Sequence, residues 1–137
     1  MATSATPERE IVVIGLGYVG LTLAAHVSSL GMNVLGIEIR DLVLNRLKSK
    51  QSFFYEPGLD KLLAQTLEAG TFRYCSKLEI SVIPRIFVIT VGTPIDTQKL
   101  VLEESIVRVA SEVSSALTED SIRFKNIVRR IPKIPTC

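Results

Sequence analysis

Three glycines near the amino end of the chain have the spacing of a phosphate-binding turn. Gly15, Gly17 and Gly20 form the pattern G-x-G-x-x-G, directly after a β-branched run from Ile11 to Ile14. The first glycine permits a tight turn after a strand, the second lets a pyrophosphate approach the backbone, and the third lets a helix pack closely on the sheet. The amides of the first helical turn and the helix dipole then face the anion. The pattern therefore predicts a dinucleotide site.

A carboxylate stands where such a site needs an acceptor for ribose hydroxyls. Glu38 lies 18 residues beyond Gly20, at the end of a second apolar run. Its charge would repel a 2′-phosphate, so the sequence predicts NAD rather than NADP as the cofactor. Arg40 weakens that preference, because a nearby arginine can accommodate the phosphate. The alternative is a glycine turn and a surface glutamate that have this spacing by chance.

The segment from Ile11 to Ile37 also raises the alternative of a membrane span, because its 27 residues include no Asp, Glu, Lys or Arg. About 20 apolar residues cross a bilayer. Five glycines interrupt this segment, however, and its pattern changes from strand to helix to strand. A βαβ unit needs such glycines at its turns, whereas a membrane helix does not. We therefore expect no membrane segment.

The remaining chain continues the alternation. Helices are predicted over residues 40–50, 57–70 and 102–120, and further strands over 71–76 and 85–92. Strands that alternate with helices form a parallel sheet covered on both faces. We therefore predict an α/β fold, a Rossmann-like doubly wound parallel sheet in a single domain.

Apolar spacing predicts which helix faces are buried. In the first helix, which Gly31 is suited to end, the predicted buried residues are Val19, Leu23, Val27 and Leu30. In the helix over 40–50 they are Leu42, Val43 and Leu47. In the helix over 102–120 they are Leu102, Ile106, Val109, Val113 and Leu117. The helix over 57–70 begins near Pro57 and ends at Gly70.

Composition and charge argue against several classes of function. The 137 residues carry a net charge of +2 without a basic stripe, so we expect no nucleic-acid partner. Cys75 and Cys137 neither frame a disulfide scaffold nor match zinc spacing, and we predict no metal site. Residues 1–10 form a polar tail unlike a signal peptide, which favours a reducing, cytoplasmic location. His26 is expected to be an ordinary helix residue.

Two further stretches have distinctive sequences that indicate more than a structural role. "FFYEPGL" covers Phe53 to Leu59, and "VGTPID" covers Val91 to Asp96. Ligands bind beyond the carboxyl ends of strands in doubly wound sheets, so Thr93 is placed to reach the cofactor by its hydroxyl or backbone. Residue chemistry alone also permits a turn before a helix and a strand exit ended by proline.

The order and spacing of "VIGLGYVGL", the strand-ending acid, "FYEPGLDKLL" and "VGTP" resemble the NAD-binding domain of the UDP-glucose/GDP-mannose dehydrogenase family, over residues 11–121. The resemblance implies that Glu38 binds the adenosine ribose, beside Arg40, and that Thr93 contacts the cofactor. Val43 stands where the family often has a lysine or arginine. The resemblance further implies that the pyrophosphate is lined by Gly15, Leu16, Gly17, Tyr18, Val19 and Gly20.

Members of this family oxidise the C6 alcohol of a nucleotide sugar to a carboxylate in two NAD-dependent hydride transfers. The resemblance implies that a cysteine thiolate, a lysine and a water-activating group come from beyond this domain. Neither Cys75 nor Cys137 matches that nucleophile. We therefore predict no catalytic residue and no turnover of a UDP-sugar by this chain unless the further domains are supplied. The form "VGTPID" is similar to enzymes for N-acetylated UDP-hexosamines.

Residues 122–137 depart from the family pattern. They form a basic tail without an acidic residue, where the family continues with a hydrophobic strand and a loop near the nicotinamide. The tail is either natural or the product of a changed reading frame near Ile122. This departure implies that the domain is incomplete. Three hypotheses stay open: the NAD half of a nucleotide-sugar dehydrogenase, a standalone NAD-binding or regulatory module, and a structural or partner-binding fragment. In the third, an uncovered sheet edge is covered by another chain, for which self-association is one route.

Overall fold

The computed structural model describes residues 9–81, 83, 85–92, 104–116 and 125–126. Strands and helices alternate within these residues as the sequence predicts. In chain order they are β1 (Glu10–Ile14), α1 (Tyr18–Ser29), β2 (Asn33–Ile37), α2 (Asp41–Lys48), α3 (Leu59–Ala69), β3 (Phe72–Cys75), β4 (Arg85–Ile89), α4 (Glu104–Ala116) and β5 (Lys125–Asn126).

The strands form one parallel sheet in the order β3-β2-β1-β4-β5. β1 lies at its centre, where Val13 is paired with Gly36 of β2 on one side and with Val88 of β4 on the other. The chain builds outward from β1 to β3 and then crosses to β4, so a topological switch point lies beside β1. Open α/β sheets bind ligands at such a point. The predicted doubly wound parallel sheet is confirmed.

The core consists of two layers, one on each face of the sheet, because successive side chains of a strand point to opposite faces. Val13 packs in the layer that contains α1, α2 and α3. Val12 and Ile14 pack in the layer that contains α4. Both faces of the central strands are therefore apolar, as a parallel sheet covered by helices requires.

The buried face of α1 differs from the predicted one. Its buried residues are Gly20, Leu21, Ala24, Ala25 and Ser28. Val19 and Leu30, which were predicted to be buried, are 55% and 67% exposed. Leu21 is fully buried in the core, and the rest of this buried face consists of small residues, because α1 starts in close contact with the glycine turn. The predicted residues Leu23 and Val27 are half-buried.

The other predicted helix faces are corrected at one position. Leu42 is exposed, whereas Val43 and Leu47 of α2 are buried. Val43 and Leu47 are four positions apart and lie on the inner face of this short helix. Leu42, one position before Val43, is turned by about 100° from it and lies on the outer side. Val109 and Val113 of α4 are buried as predicted. The prediction for Leu102 and Leu117 lies outside the described residues.

A buried carboxylate joins the amino ends of three strands. Glu10 of β1 is 3% exposed. It accepts hydrogen bonds from Arg85 Nε of β4, at 2.7 Å, and from Arg73 of β3. Arg85 is buried too and also donates to the carbonyl oxygen of Glu79. The ion pair therefore fixes these strand ends relative to one another.

We expect Glu10→Ala to lower the free energy of unfolding by about 3 kcal/mol, because Arg85 would stay buried without its charge partner. Arg73→Ala removes an exposed partner of the same carboxylate and should cost less than about 1 kcal/mol. Urea denaturation of both variants and the wild type measures the difference. Equal losses in the two variants would contradict a buried role for the Glu10–Arg85 pair.

Candidate functional site

The glycine turn is held from both sides by neighbouring strands. The amide of Gly15 donates to the carbonyl oxygen of Ile37 at 2.8 Å. The hydroxyl of Thr90, directly after β4, donates to the carbonyl oxygen of Gly15 at 2.6 Å. Gly15 has φ of +92°, a left-handed conformation that glycine adopts without strain. Thr90 was not among the residues predicted from the sequence, although a hydroxyl that ends a buried strand beside a glycine turn could have indicated it.

The residues after Gly15 divide into a buried support and an open side. Leu16 is fully buried, and its amide donates to the Glu38 carboxylate at 3.1 Å. Gly17 is the N-cap of α1 in extended conformation. Among the described residues, the nearest atom outside its chain neighbours to a Cβ built on it would be Arg40 Nη2, at 4.0 Å. Tyr18 and Val19 are exposed beside it. The open side of the turn therefore has room for a ligand.

Glu38 lies directly after β2 and connects that strand to the glycine turn. Its side chain is 4% exposed. Besides the Leu16 amide, it accepts hydrogen bonds from the amides of Ile39 and Arg40, both at 2.9 Å. The Arg40 guanidinium donates to both carboxylate oxygens, from Nε at 3.1 Å and from Nη2 at 2.8 Å. The carboxylate is thus buried, fully bonded and aimed at the turn.

Opposing effects set the pKa of Glu38. Burial raises the pKa, but hydrogen bonds from Arg40, its positive charge and the Leu16 amide together outweigh burial and lower the pKa below the ordinary 4.5. The pKa of Arg40 is raised, chiefly by its hydrogen bond to Glu38. Both groups are therefore charged at neutral pH. The Arg40 guanidinium also lies 5.1 Å from the centre of the Phe53 ring, close enough for a cation–π contact.

A cavity of about 430 Å³ lies at the carboxyl ends of the strands, between Glu38 and α4. Its apolar lining includes Ile39, Leu78 and Val91. One face of α4 contributes polar side chains to the lining, namely Arg108, Ser111, Glu112 and Ser115. These residues were not predicted from the sequence, although their spacing of three and four positions is that of one helix face. The cavity adjoins Gly15, so the turn, the carboxylate and the cavity form one continuous site.

The stretch "FFYEPGL" lies at the rim of this site. The Tyr18 hydroxyl donates to Glu56 Oε2 at 2.7 Å, and this hydrogen bond and the charge of Glu56 raise the pKa of Tyr18. The ring centres of Tyr18 and Phe54 are 4.8 Å apart. Two distant motifs of the sequence are therefore in direct contact.

The remaining candidate residues are His26, which lies apart from the site, Cys75, whose carbonyl oxygen accepts a hydrogen bond from the Glu38 amide at 3.0 Å, and two that lie outside the described residues. Thr93 and Cys137 belong to the latter group. Cys75 is half-buried at the end of β3, and its thiol donates to the carbonyl oxygen of Lys77 at 3.1 Å. His26 is exposed on α1. Within the described ranges no cluster of His, Cys, Asp and Glu could hold a metal ion, and no helix there has the length and hydropathy to cross a membrane.

A doubly wound parallel sheet, with a glycine turn opening a helix beside a strand-ending carboxylate, defines a dinucleotide-binding Rossmann domain. Residues 9–129 match the model of the UDP-glucose/GDP-mannose dehydrogenase family, NAD binding domain. The chain belongs to this family, and the cofactor of its domain is NAD.

The relatives are nucleotide-sugar dehydrogenases. UDP-N-acetyl-D-mannosamine dehydrogenase of Pyrococcus horikoshii is 33% identical over 105 residues, which are 75% of this chain and 25% of that protein. GDP-mannose 6-dehydrogenase of Azotobacter vinelandii is 30% identical over 120 residues, 87% of this chain and 28% of that protein. The solved structure of UDP-D-ManNAc dehydrogenase from Pyrococcus horikoshii matches with a TM-score of 0.74 at 27% identity, over 82% of this chain and 27% of that one. The chain thus spans about a quarter of the length of these relatives.

Proposed function

We propose that the chain is the NAD-binding part of a nucleotide-sugar 6-dehydrogenase, which oxidises the C6 alcohol of a UDP-sugar to the carboxylate with two NAD. The observation that carries the proposal is the buried Glu38 carboxylate, bonded to the glycine turn and facing a cavity large enough for a nucleoside. The names of the relatives, which specify sugars joined to UDP or GDP, support the substrate class.

In the proposed site the pyrophosphate lies against the amino end of α1, where backbone amides and the helix dipole favour an anion. Gly17 leaves room for it, and Tyr18 and Val19 border it. Leu16 acts indirectly, since its amide is bonded to Glu38 and its side chain is buried. The residues proposed to line the pyrophosphate are Gly15, Leu16, Gly17, Tyr18, Val19 and Gly20.

The adenosine half is proposed to occupy the cavity between Glu38 and α4. The apolar side chains of Ile39 and Val91 suit the faces of an aromatic base, and the Glu38 carboxylate is the acceptor for ribose hydroxyls. Arg40 already donates twice to that carboxylate, so a ribose must share or replace those bonds. Thr93, outside the described residues, is proposed to contact the cofactor beyond β4.

Bound NAD supplies the hydride acceptor, and the described residues bind and orient it. None of them is assigned a catalytic role. Oxidation through a covalent intermediate needs a thiolate nucleophile, and the Cys75 thiol is bonded to a backbone carbonyl at the end of β3. The thiolate and the sugar site are therefore proposed to come from residues that belong to the complete dehydrogenase.

We expect NAD to bind more tightly than NADP by about tenfold or more, because a 2′-phosphate beside Glu38 meets like charge. Glu38→Gln should narrow that ratio, since the amide accepts hydrogen bonds without repelling phosphate. Calorimetric titration of both cofactors measures the ratio. Glu68→Gln, at an exposed residue of α3, is the control and should bind both cofactors as the wild type does. Equal or tighter binding of NADP by the wild type would overturn the assignment of Glu38.

A further inference from the structure

The stretch "FFYEPGL" has no part in the proposed function, yet it contacts the glycine motif. The hydrogen bond between the Tyr18 hydroxyl and Glu56 joins residues 38 positions apart. The Phe54 ring packs on the Tyr18 ring at the same place. A polar and an apolar contact therefore join the first residue of α1 to a separate loop.

The loop that carries Glu56 is anchored by its own contacts. The amide of Ser52 donates to the Asp60 carboxylate of α3 at 2.7 Å, and the Phe53 and Phe54 rings meet edge to face at 4.9 Å. The amide of Leu59 donates to the carbonyl oxygen of Glu56 at 3.1 Å. The two hydrogen bonds involve neither Tyr18 nor Phe54, so the loop is anchored to α3 by contacts of its own.

The Tyr18–Glu56 contact contributes little to folding, because its hydrogen bond is exposed to water. A carboxylate at the rim of a phosphate site is also unfavourable by charge alone. Tyr18, however, begins the first turn of α1, and its carbonyl oxygen accepts a hydrogen bond from the Thr22 hydroxyl at 2.6 Å. Because Tyr18 belongs to this turn, its side chain links the loop of Glu56 to the backbone whose amides face the proposed anion.

We propose that Tyr18 and Glu56 are a positioning pair, in which Glu56 acts through the Tyr18 hydroxyl to hold the first turn of α1 in the orientation that binds the pyrophosphate of NAD. The proposal rests on the proposed function, because it requires a pyrophosphate at that turn. Neither side chain touches the reacting atoms. The pair should affect ligands that carry a pyrophosphate and leave adenosine unaffected.

Three substitutions separate the hydrogen bond from the ring contact and the charge. Tyr18→Phe keeps the ring but removes the donor, Glu56→Ala removes the acceptor, and Glu56→Gln keeps an acceptor oxygen without the charge. We expect the Kd of NAD and of ADP-ribose to rise about threefold to tenfold in the first two variants, the range of one hydrogen bond. Glu56→Gln should bind both within about twofold of the wild type.

Two further measurements distinguish positioning from general damage. The double variant Tyr18→Phe/Glu56→Ala should bind NAD no more weakly than either single variant, because both remove the same bond. Adenosine, titrated by NMR, should bind all variants equally. Tyr55→Phe is the matched control, because it removes the hydroxyl of a neighbouring tyrosine that is 88% exposed, and it should bind NAD as the wild type does.

The outcomes separate the two proposals. Wild-type affinity for NAD in Tyr18→Phe and Glu56→Ala would overturn the positioning pair and leave the proposed function intact. Additive losses in the double variant, or an equal loss of adenosine binding, would also overturn it. A wild-type chain that binds neither NAD nor ADP-ribose would overturn the proposed function, and the positioning pair with it.

Discussion

Gly20→Ala is expected to lower the free energy of unfolding by about 3 kcal/mol or more and to abolish NAD binding with it, since overpacking costs up to about that much even where side chains can adjust. A Cβ atom at Gly20 would lie 1.9 Å from the carbonyl oxygen of Gly15 and 2.4 Å from Thr90 Oγ1. These two atoms are hydrogen-bonded to each other, so moving either one away breaks that bond. The start of α1 must shift from the sheet instead.

Thermal and urea unfolding measure this loss, and Gly17→Ala is the matched control from the same motif. Gly17 has φ of −74°, which any residue adopts. Among the described residues other than its two chain neighbours, no atom lies closer than 4.0 Å to a Cβ built on it. Its substitution should change the free energy of unfolding by about 1 kcal/mol or less, mainly through the N-cap preference. A Gly20→Ala variant as stable as Gly17→Ala would show that α1 does not depend on this close approach.

Gly17→Val is expected to weaken NAD binding at least a hundredfold, about 2.7 kcal/mol, while the fold survives. The same open space that makes Gly17 tolerant of a side chain is the space through which a pyrophosphate approaches the backbone. A β-branched side chain fills it from the first carbon onward. A side chain at Gly17 should therefore weaken NAD binding with little effect on the free energy of unfolding, whereas a side chain at Gly20 should reduce both.

Calorimetric titration with NAD, together with circular dichroism, tests this separation. His26→Val places the same side chain at an exposed position of α1 and should bind NAD as the wild type does. If Gly17→Val bound NAD with wild-type affinity, the glycine turn would have only a structural role, and the cofactor would have to bind elsewhere.

Local patterns of the sequence predicted the elements and the outline of the site. The β-branched run before Gly15 predicted β1, and the alternation that followed predicted a parallel sheet, because both signals arise from residues close together in the chain. Gly70 was predicted to end α3, and it does so with φ of +75°, a conformation that depends on the residue itself. The spacing from Gly20 to Glu38 predicted a dinucleotide site for a similar reason, since one βαβ unit determines it.

The tertiary structure alone decided how those elements approach one another. The buried face of α1 consists of Leu21 and small residues such as Ala24 rather than Val19 and Leu30, because helix and sheet meet at a distance that no local period specifies. The bond from Leu16 to Glu38 spans 22 positions. The contact of Tyr18 with its loop spans 38. Such contacts depend on strand pairing and helix packing, which bring together residues that are distant in the sequence.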